Sequence, residues 1–227
     1  MNKYMLCSWW LFFTPLAAKP NYELKYFDCC IMKPLVTFIL LTICLTTVAQ
    51  TTPERNWVDT EVKYTDAAGN VIMVQNSLPK GGGGYIDVAG KKYSYVILWT
   101  RIVNESATPL KFMMKFPADT FAIFPSPDSY IRLFLPPDIM TPDKIQLVDY
   151  GLTNLKPFLD AEFNRPSLQR KILKPNEEYY FYIPILLHQA RGTARTALVL
   201  KEHDLFYKVN IGEHSTLIPC GRIYFEN

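Results

Sequence analysis

Alternation of apolar and polar residues is the clearest pattern in this chain, and it is strongest in residues 93–116. Residues 93–103 carry apolar side chains on both faces of an extended backbone, which predicts a central strand covered on both sides. Residues 110–116 alternate apolar side chains with lysines, as is typical of a strand with one solvated face. Turn-forming residues separate the two runs at 104–109, so we expect a core β-hairpin.

Shorter alternating runs predict eight or nine strands in total, at the spacing of an all-β antiparallel sandwich. Further strands are expected at residues 58–64, 71–74, 131–135, 178–187, 193–201, 205–211 and 222–225. Pro184 interrupts one of these runs, which indicates an edge strand or a bulge. Residues 80–84 are expected to form a loop, because four consecutive glycines have a high backbone entropy.

The proline-rich segment 117–163 differs from the regular strands around it. Thr141 followed by Pro142 has the form of a helix N-cap with proline at the first helical position. We therefore predict short helices over residues 143–149 and 154–163, which form a helical insertion at about 141–164.

Two corners of the chain resemble those of immunoglobulin-like bacterial modules. One has Asn104 and Ser106 shortly before Pro109, and the other is the Leu-Lys-Pro-Asn-Glu turn at residues 173–177. The resemblance covers these corners alone and implies an immunoglobulin-like β-sandwich, but no function. Asn104 also fits a glycosylation acceptor, although a role in forming the turn is favoured.

The N-terminal region has the composition of a targeting segment. Residues 32–49 have a charged start, an apolar run and a small residue before a polar one, which predicts a signal peptide cleaved after Ala49. We expect Met32 to be the true start and residues 1–31 to be an upstream artefact of start-codon choice. The alternatives for residues 1–31 are a leader extension or a membrane-associated hairpin. A single β-sandwich domain is expected over residues 50–227, in the periplasm or at the cell surface.

Cysteine and charge narrow the possible chemistry. Cys220 is the only cysteine after residue 49, so the domain lacks an internal disulfide and Cys220 is expected to be buried. Basic and acidic residues nearly balance after residue 49, which gives no reason to expect nucleic acid as a partner. Membrane contact is expected only through the leader before cleavage, and the oligomeric state stays open.

Candidate catalytic and metal-binding residues are few and scattered. His203 and His214 flank one predicted strand, and neither they nor His188 fit a metal-binding or nucleophile motif. We expect no metal and no cofactor. A non-catalytic module is favoured over two alternatives, an envelope-associated hydrolase with scattered catalytic residues and a structural envelope subunit.

Aromatic residues supply the candidate binding sites. Phe121, Phe124 and Tyr130 lie in the long segment 117–163, where stiff backbone favours a partner-binding surface. The alternative is that this segment caps an open end of the sandwich. Tyr180 and Tyr182 could stack on sugars, unless the helical insertion covers them. The leading interpretation is an exported module that binds a protein or a glycan at the bacterial cell envelope.

Overall fold

The computed structural model describes residues 55–126, 128–190 and 192–226. The predicted upstream segment 1–31 and signal peptide 32–49 lie outside these residues. The described chain is mostly β with antiparallel sheets, as predicted, but it has twelve strands and not eight or nine. These are β1 (Val58–Thr65), β2 (Val71–Ser77), β3 (Lys80–Ile86), β4 (Lys92–Asn104), β5 (Leu110–Phe116), β6 (Phe121–Ala122), β7 (Tyr130–Leu133), β8 (Ser167–Leu173), β9 (Glu178–His188), β10 (Ala194–Lys201), β11 (Asp204–Ile211) and β12 (His214–Phe225).

The strands form two sheets. Sheet A has the order β1-β2-β4-β9-β7-β6, and β3 pairs with β4 beyond the end of β2. Sheet B has the order β10-β11-β12-β5-β8. Every strand pair in both sheets is antiparallel.

The hairpin predicted over residues 93–116 is wrong, because β4 belongs to sheet A and β5 to sheet B. The chain crosses between the sheets at fully buried Asn104, whose Nδ2 donates to the carbonyl oxygens of Thr108, Leu173 and Lys174. The glycosylation alternative is also wrong, since this nitrogen is buried and already bonded. Alternation indicates how a strand is buried, but it does not identify the strand beside it.

Sheet A lies between two apolar clusters, which makes the described chain three layers deep. One cluster fills the space between the inner faces of the two sheets and includes Leu98, Phe112 and Cys220. The other covers the outer face of sheet A and includes Trp99, Tyr182 and residues of the helical segment. β4 is therefore covered on both faces, as predicted, and Cys220 is buried, also as predicted.

The glycine-rich stretch is a strand and not the predicted loop. Residues 80–84 begin β3, which pairs with β4 through a register shift between Gly81 and Gly84. A Cβ atom on Gly83 would approach Cε1 of the Tyr95 ring at 2.6 Å. Glycine allows this ring to lie against the strand, and the contact offsets the backbone entropy that favoured a loop.

Pro184 lies in a central strand, so the predicted edge position is wrong. Its carbonyl oxygen accepts a hydrogen bond from the Phe134 N–H at 3.1 Å, just beyond the end of β7. The N–H and C=O of one residue point to the same neighbour in an antiparallel sheet. The side of Pro184 that lacks an N–H therefore faces the chain just after the last residue of β7, where the ladder of hydrogen bonds between β7 and β9 has ended.

The helical segment matches its prediction only in part. Helix α1 (Leu155–Glu162) lies within the predicted helix at 154–163. The predicted helix at 143–149 is wrong, because two short 3-10 helices, Pro142–Lys144 and Val148–Gly151, lie there instead. None of the helices in the described ranges has the length and apolar character needed to cross a bilayer.

Candidate functional site

The aromatic residues predicted at 117–163 pack mainly inward. Phe121 and Phe124 are partly buried against the cluster between the sheets, and Phe124 meets the His214 ring at a centroid distance of 4.7 Å. Tyr130 packs against the outer cluster, 5.1 Å from the His188 ring. These contacts favour the capping interpretation for all three aromatic residues.

The two tyrosines proposed for sugar stacking lie on the outer face of sheet A. Tyr182 is fully buried, and its hydroxyl donates to the Tyr150 carbonyl oxygen at 2.7 Å. Tyr180 is half-buried, with its ring 5.7 Å from Trp99 and 5.4 Å from the Arg101 guanidinium carbon. The alternative that the helical layer covers this face is correct for Tyr182. Tyr180 stays partly exposed, with Trp99 and Arg101 beside its ring.

The exposed apolar residues of segment 117–163 are aliphatic. Val148 is 86% exposed, Ile139 69% and Leu147 51%. Lys144 connects Ile139 to Leu147. Its Nζ donates to the Ile139 carbonyl oxygen at 2.6 Å, and its own carbonyl oxygen accepts from the Leu147 N–H. We call residues 145–151 the presented loop.

The presented loop has an unusual backbone. Asp149 and Tyr150 have φ values of 49° and 54°, and Gly151 continues the left-handed run at 70°. Left-handed conformation at a non-glycine residue costs on the order of 1–3 kcal/mol, and it persists only where surrounding contacts enforce it. The turn places the Tyr150 ring inside the outer cluster and leaves Val148 in solvent.

Lys80 supports the loop from β3. Its Nζ donates to the carbonyl oxygens of Ile145 at 2.6 Å and Leu147 at 2.8 Å. The ammonium also lies 4.0 Å from the centroid of the Trp57 ring and 4.3 Å from that of Tyr150. Burial lowers the pKa of Lys80, and the nearby Arg55 cation lowers it further. The two aromatic rings thus fix the position of the Lys80 ammonium, which donates to the carbonyl oxygens of the loop.

Further hydrogen bonds hold the loop to the residues around it, including the bond from the Tyr182 hydroxyl to the Tyr150 carbonyl oxygen. The Tyr150 hydroxyl donates to the Leu78 carbonyl oxygen at 2.5 Å, and burial raises the pKa of this tyrosine to about 12. The Tyr95 hydroxyl donates to an Asp149 carboxylate oxygen at 3.2 Å. Trp57 Nε1 donates to Gln146 Oε1 at 2.9 Å. The exposed side chains Leu147 and Val148 are thus held by a preorganised loop.

The histidines do not form a metal-binding group in the described ranges. His203 and His214 lie at opposite ends of β11, and His188 hydrogen-bonds through Nδ1 to the Lys92 carbonyl oxygen at 2.9 Å. Among residues 55–126, 128–190 and 192–226, no group of three or more histidines, cysteines and carboxylates is placed to hold a metal ion. Cys220 is buried, and burial raises the pKa of its thiol.

Leu147 and Val148 were missed as site residues because their stretch was interpreted as a helix. The available signal was the sequence Asp149-Tyr150-Gly151, in which an aspartate and a glycine favour left-handed turns. No protein-family model matches this chain, and a search of curated proteins gives no significant match. The site is therefore interpreted from its geometry alone.

Proposed function

We propose that this chain is an exported, non-catalytic, immunoglobulin-like β-sandwich module that binds a protein partner at the bacterial cell envelope. The contact surface is the presented loop, with Leu147, Val148 and the neighbouring Ile139. The predicted signal peptide at residues 32–49 is the basis for export. The immunoglobulin-like assignment is supported by two antiparallel sheets around one core and by the Asn104 corner.

The observation that carries the proposal is the exposure of two adjacent aliphatic side chains on a loop with little freedom to move. Scattered exposed aliphatic residues are ordinary, but Leu147 and Val148 are adjacent and directly precede the strained pair Asp149 and Tyr150. The partly buried Lys80 ammonium donates to the loop carbonyl oxygens beside them. A loop already fixed in one conformation loses little entropy on binding. The strained backbone of Asp149 and Tyr150 is then explained by the need to keep these two side chains exposed.

A protein partner fits this surface better than a glycan. Sugars are held by exposed aromatic faces, whereas the side chains presented here are aliphatic. Tyr182, one of the two candidates for stacking, is inaccessible beneath the helical layer. A hydrophobic pocket on another protein would bury Leu147 and Val148 together, and each fully buried side chain contributes about 1.5–3 kcal/mol.

Site-specific photo-crosslinking in the producing cell tests the proposal. A photoreactive amino acid replaces Val148 in one variant and Val88 in the other, because these valines are 86% and 84% exposed. We expect one envelope protein, identified by mass spectrometry, to crosslink from position 148 and not from position 88. Equal crosslinking from both positions, or none from 148, contradicts the proposal. Retention on purified cell-wall glycan that depends on Leu147 and Val148 would favour the glycan alternative.

A further inference from the structure

Strand β8 forms an edge of sheet B and is unusually regular. It pairs with β5 over seven consecutive residue pairs without a register shift. In an edge strand, the N–H and C=O groups of alternate residues point away from the sheet and can pair with another strand. Leu168 and Ile172, 47% and 53% exposed, lie on its outer face. β8 therefore offers both backbone groups and apolar side chains.

The opposite edge of sheet B differs, because sheet A closes it. There the Leu198 N–H of β10 donates to Oδ1 of buried Asn76 at 2.9 Å. Arg195 of the same strand forms a salt bridge with Asp59 of β1 at 2.7 Å. At β8, the Leu135 N–H donates to the Ser167 hydroxyl at the first residue of the strand. A groove, and not a strand, lies beside residues 167–170 of that edge.

The groove has a volume of about 1060 Å³ and separates β8 from helix α1. Its apolar walls include Leu135, Phe158 and Tyr179. An added strand would lie 4.7–4.9 Å from β8, roughly the spacing of neighbouring strands in any sheet. Alternate side chains of that strand would then point toward Leu135, Phe158 and Tyr179, and the others would lie beside Leu168 and Ile172.

Charge indicates which strand can occupy this edge. β8 carries Arg170 and Lys171 and no acidic residue, and neither cation has a carboxylate within 4.0 Å in the described chain. Lys115 of β5 lies on the same outer face as Arg170, and so does Lys111, which forms a salt bridge with Glu226. A second copy paired antiparallel about the centre of β8 would place Arg170 opposite Arg170, and directly opposed like charges destabilise a pair.

The groove wall also has carboxylates, which set the orientation of the occupant. Glu162 of α1 forms a salt bridge with Arg165 at 3.3 Å, and Asp138 lies on the same side. Acidic side chains of an incoming strand are thus disfavoured beside Asp138 and Glu162 and favoured beside Arg170, on the β8 side of the groove. We infer that the edge of β8 binds an extended partner segment with alternating acidic and apolar residues, as a sixth strand of sheet B. This inference does not depend on the presented loop.

A synthetic peptide tests the inference. The probe is acetyl-Thr-Glu-Val-Glu-Val-Glu-Thr-amide, labelled for fluorescence anisotropy, with a counterpart in which lysine replaces glutamate. Two further peptides carry N-methyl groups on both valines or on all three glutamates. We expect the acidic peptide to bind and the lysine peptide to bind at least about tenfold more weakly. Only one of the N-methylated peptides should lose binding, because alternate N–H groups face β8.

Protein variants localise the binding. Arg170→Glu should weaken binding of the acidic peptide at least about tenfold, whereas Lys208→Glu, at an exposed position of β11 in the same sheet, should not. Leu147→Ser with Val148→Ser should leave peptide binding unchanged, which separates this inference from the proposed function. Circular dichroism checks that each variant is folded. No binding of the acidic peptide, equal binding of both charge forms, or equal loss with both N-methylated peptides would overturn the inference.

Discussion

At the scale of single residues, buried polar side chains join segments that the hydrophobic pattern does not connect. Asn104 joins the two corners noted in the sequence, because its backbone N–H also donates to Glu177 and its carbonyl oxygen accepts from Asn176. Asn76 plays a similar part, since Oδ1 accepts from both Thr100 and the Leu198 N–H. A buried amide with satisfied donors and acceptors specifies one arrangement of the strands around it.

Replacement of Asn104 tests this role. Asn104→Ala removes the Nδ2 donor from the carbonyl oxygens of Thr108, Leu173 and Lys174, of which Leu173 is buried, so the free energy of unfolding should fall by about 2–3 kcal/mol. Urea denaturation of both proteins measures the change. Asn210→Ala, on the outer face of β11, is the matched control and should stay within about 0.5 kcal/mol of the parent protein. Equal stability of the two variants would contradict the assignment.

At the scale of elements, alternation predicted most strands and their buried faces, but not their partners. The backbone groups that pair strands are the same in every residue, so residues 93–116 were predicted as a hairpin although β4 and β5 lie in different sheets. β8 was missed because its exposed leucine and isoleucine hide the alternation. β3 was missed because the contact of Tyr95 on Gly83 is tertiary.

The candidate site also depends on tertiary contacts that the sequence pattern does not reveal. Segment 117–163 was identified from its length and prolines, and the presented loop lies within it. The exposed side chains could not be chosen from the sequence, because the left-handed turn at Asp149 and Tyr150 depends on Lys80 and Tyr95, which are distant in the chain.

Loosening the presented loop is a test at the element scale. Lys80→Met keeps an apolar side chain over Trp57 but removes both hydrogen bonds from the ammonium group to the loop carbonyl oxygens. Amide hydrogen exchange within residues 145–151 should accelerate about tenfold or more, since two charge-assisted hydrogen bonds are lost. Lys91→Met, where the ammonium lies over the Tyr130 ring, is the control and should leave these amides unchanged. Unaltered exchange in Lys80→Met would show that other contacts hold the loop.

At the scale of the whole molecule, three layers bury ionisable hydroxyls and a thiol in their neutral forms. Burial raises the pKa of Tyr150 and of Tyr182 to about 12, and it also raises the pKa of Tyr207 and Cys220. In the unfolded chain these groups ionise near their ordinary values, about 10 for tyrosine and about 8.5 for cysteine. The folded protein therefore retains protons that the unfolded chain releases at high pH.

This difference fixes the sign of the pH dependence. The stabilisation is fully present below the unfolded pKa values and is lost as pH rises through the folded ones. Urea denaturation should give a constant free energy of unfolding from about pH 7 to 8, and a steady fall between about pH 9 and 12. Tyr182→Phe should make that fall shallower. A free energy at pH 11 equal to that at pH 8 would contradict the burial described here.

The most direct test of the central claim uses the partner identified by crosslinking from position 148. Its Kd is measured by calorimetry against the parent protein, Leu147→Ser with Val148→Ser, and the matched control Ile86→Ser with Val88→Ser, whose side chains are comparably exposed. The loop variant should bind at least about a hundredfold more weakly, because two aliphatic side chains are no longer buried. Its melting temperature and the control's affinity should stay at parent values. An unchanged Kd in the loop variant, or an equal loss in both variants, would contradict the presented loop as the binding surface.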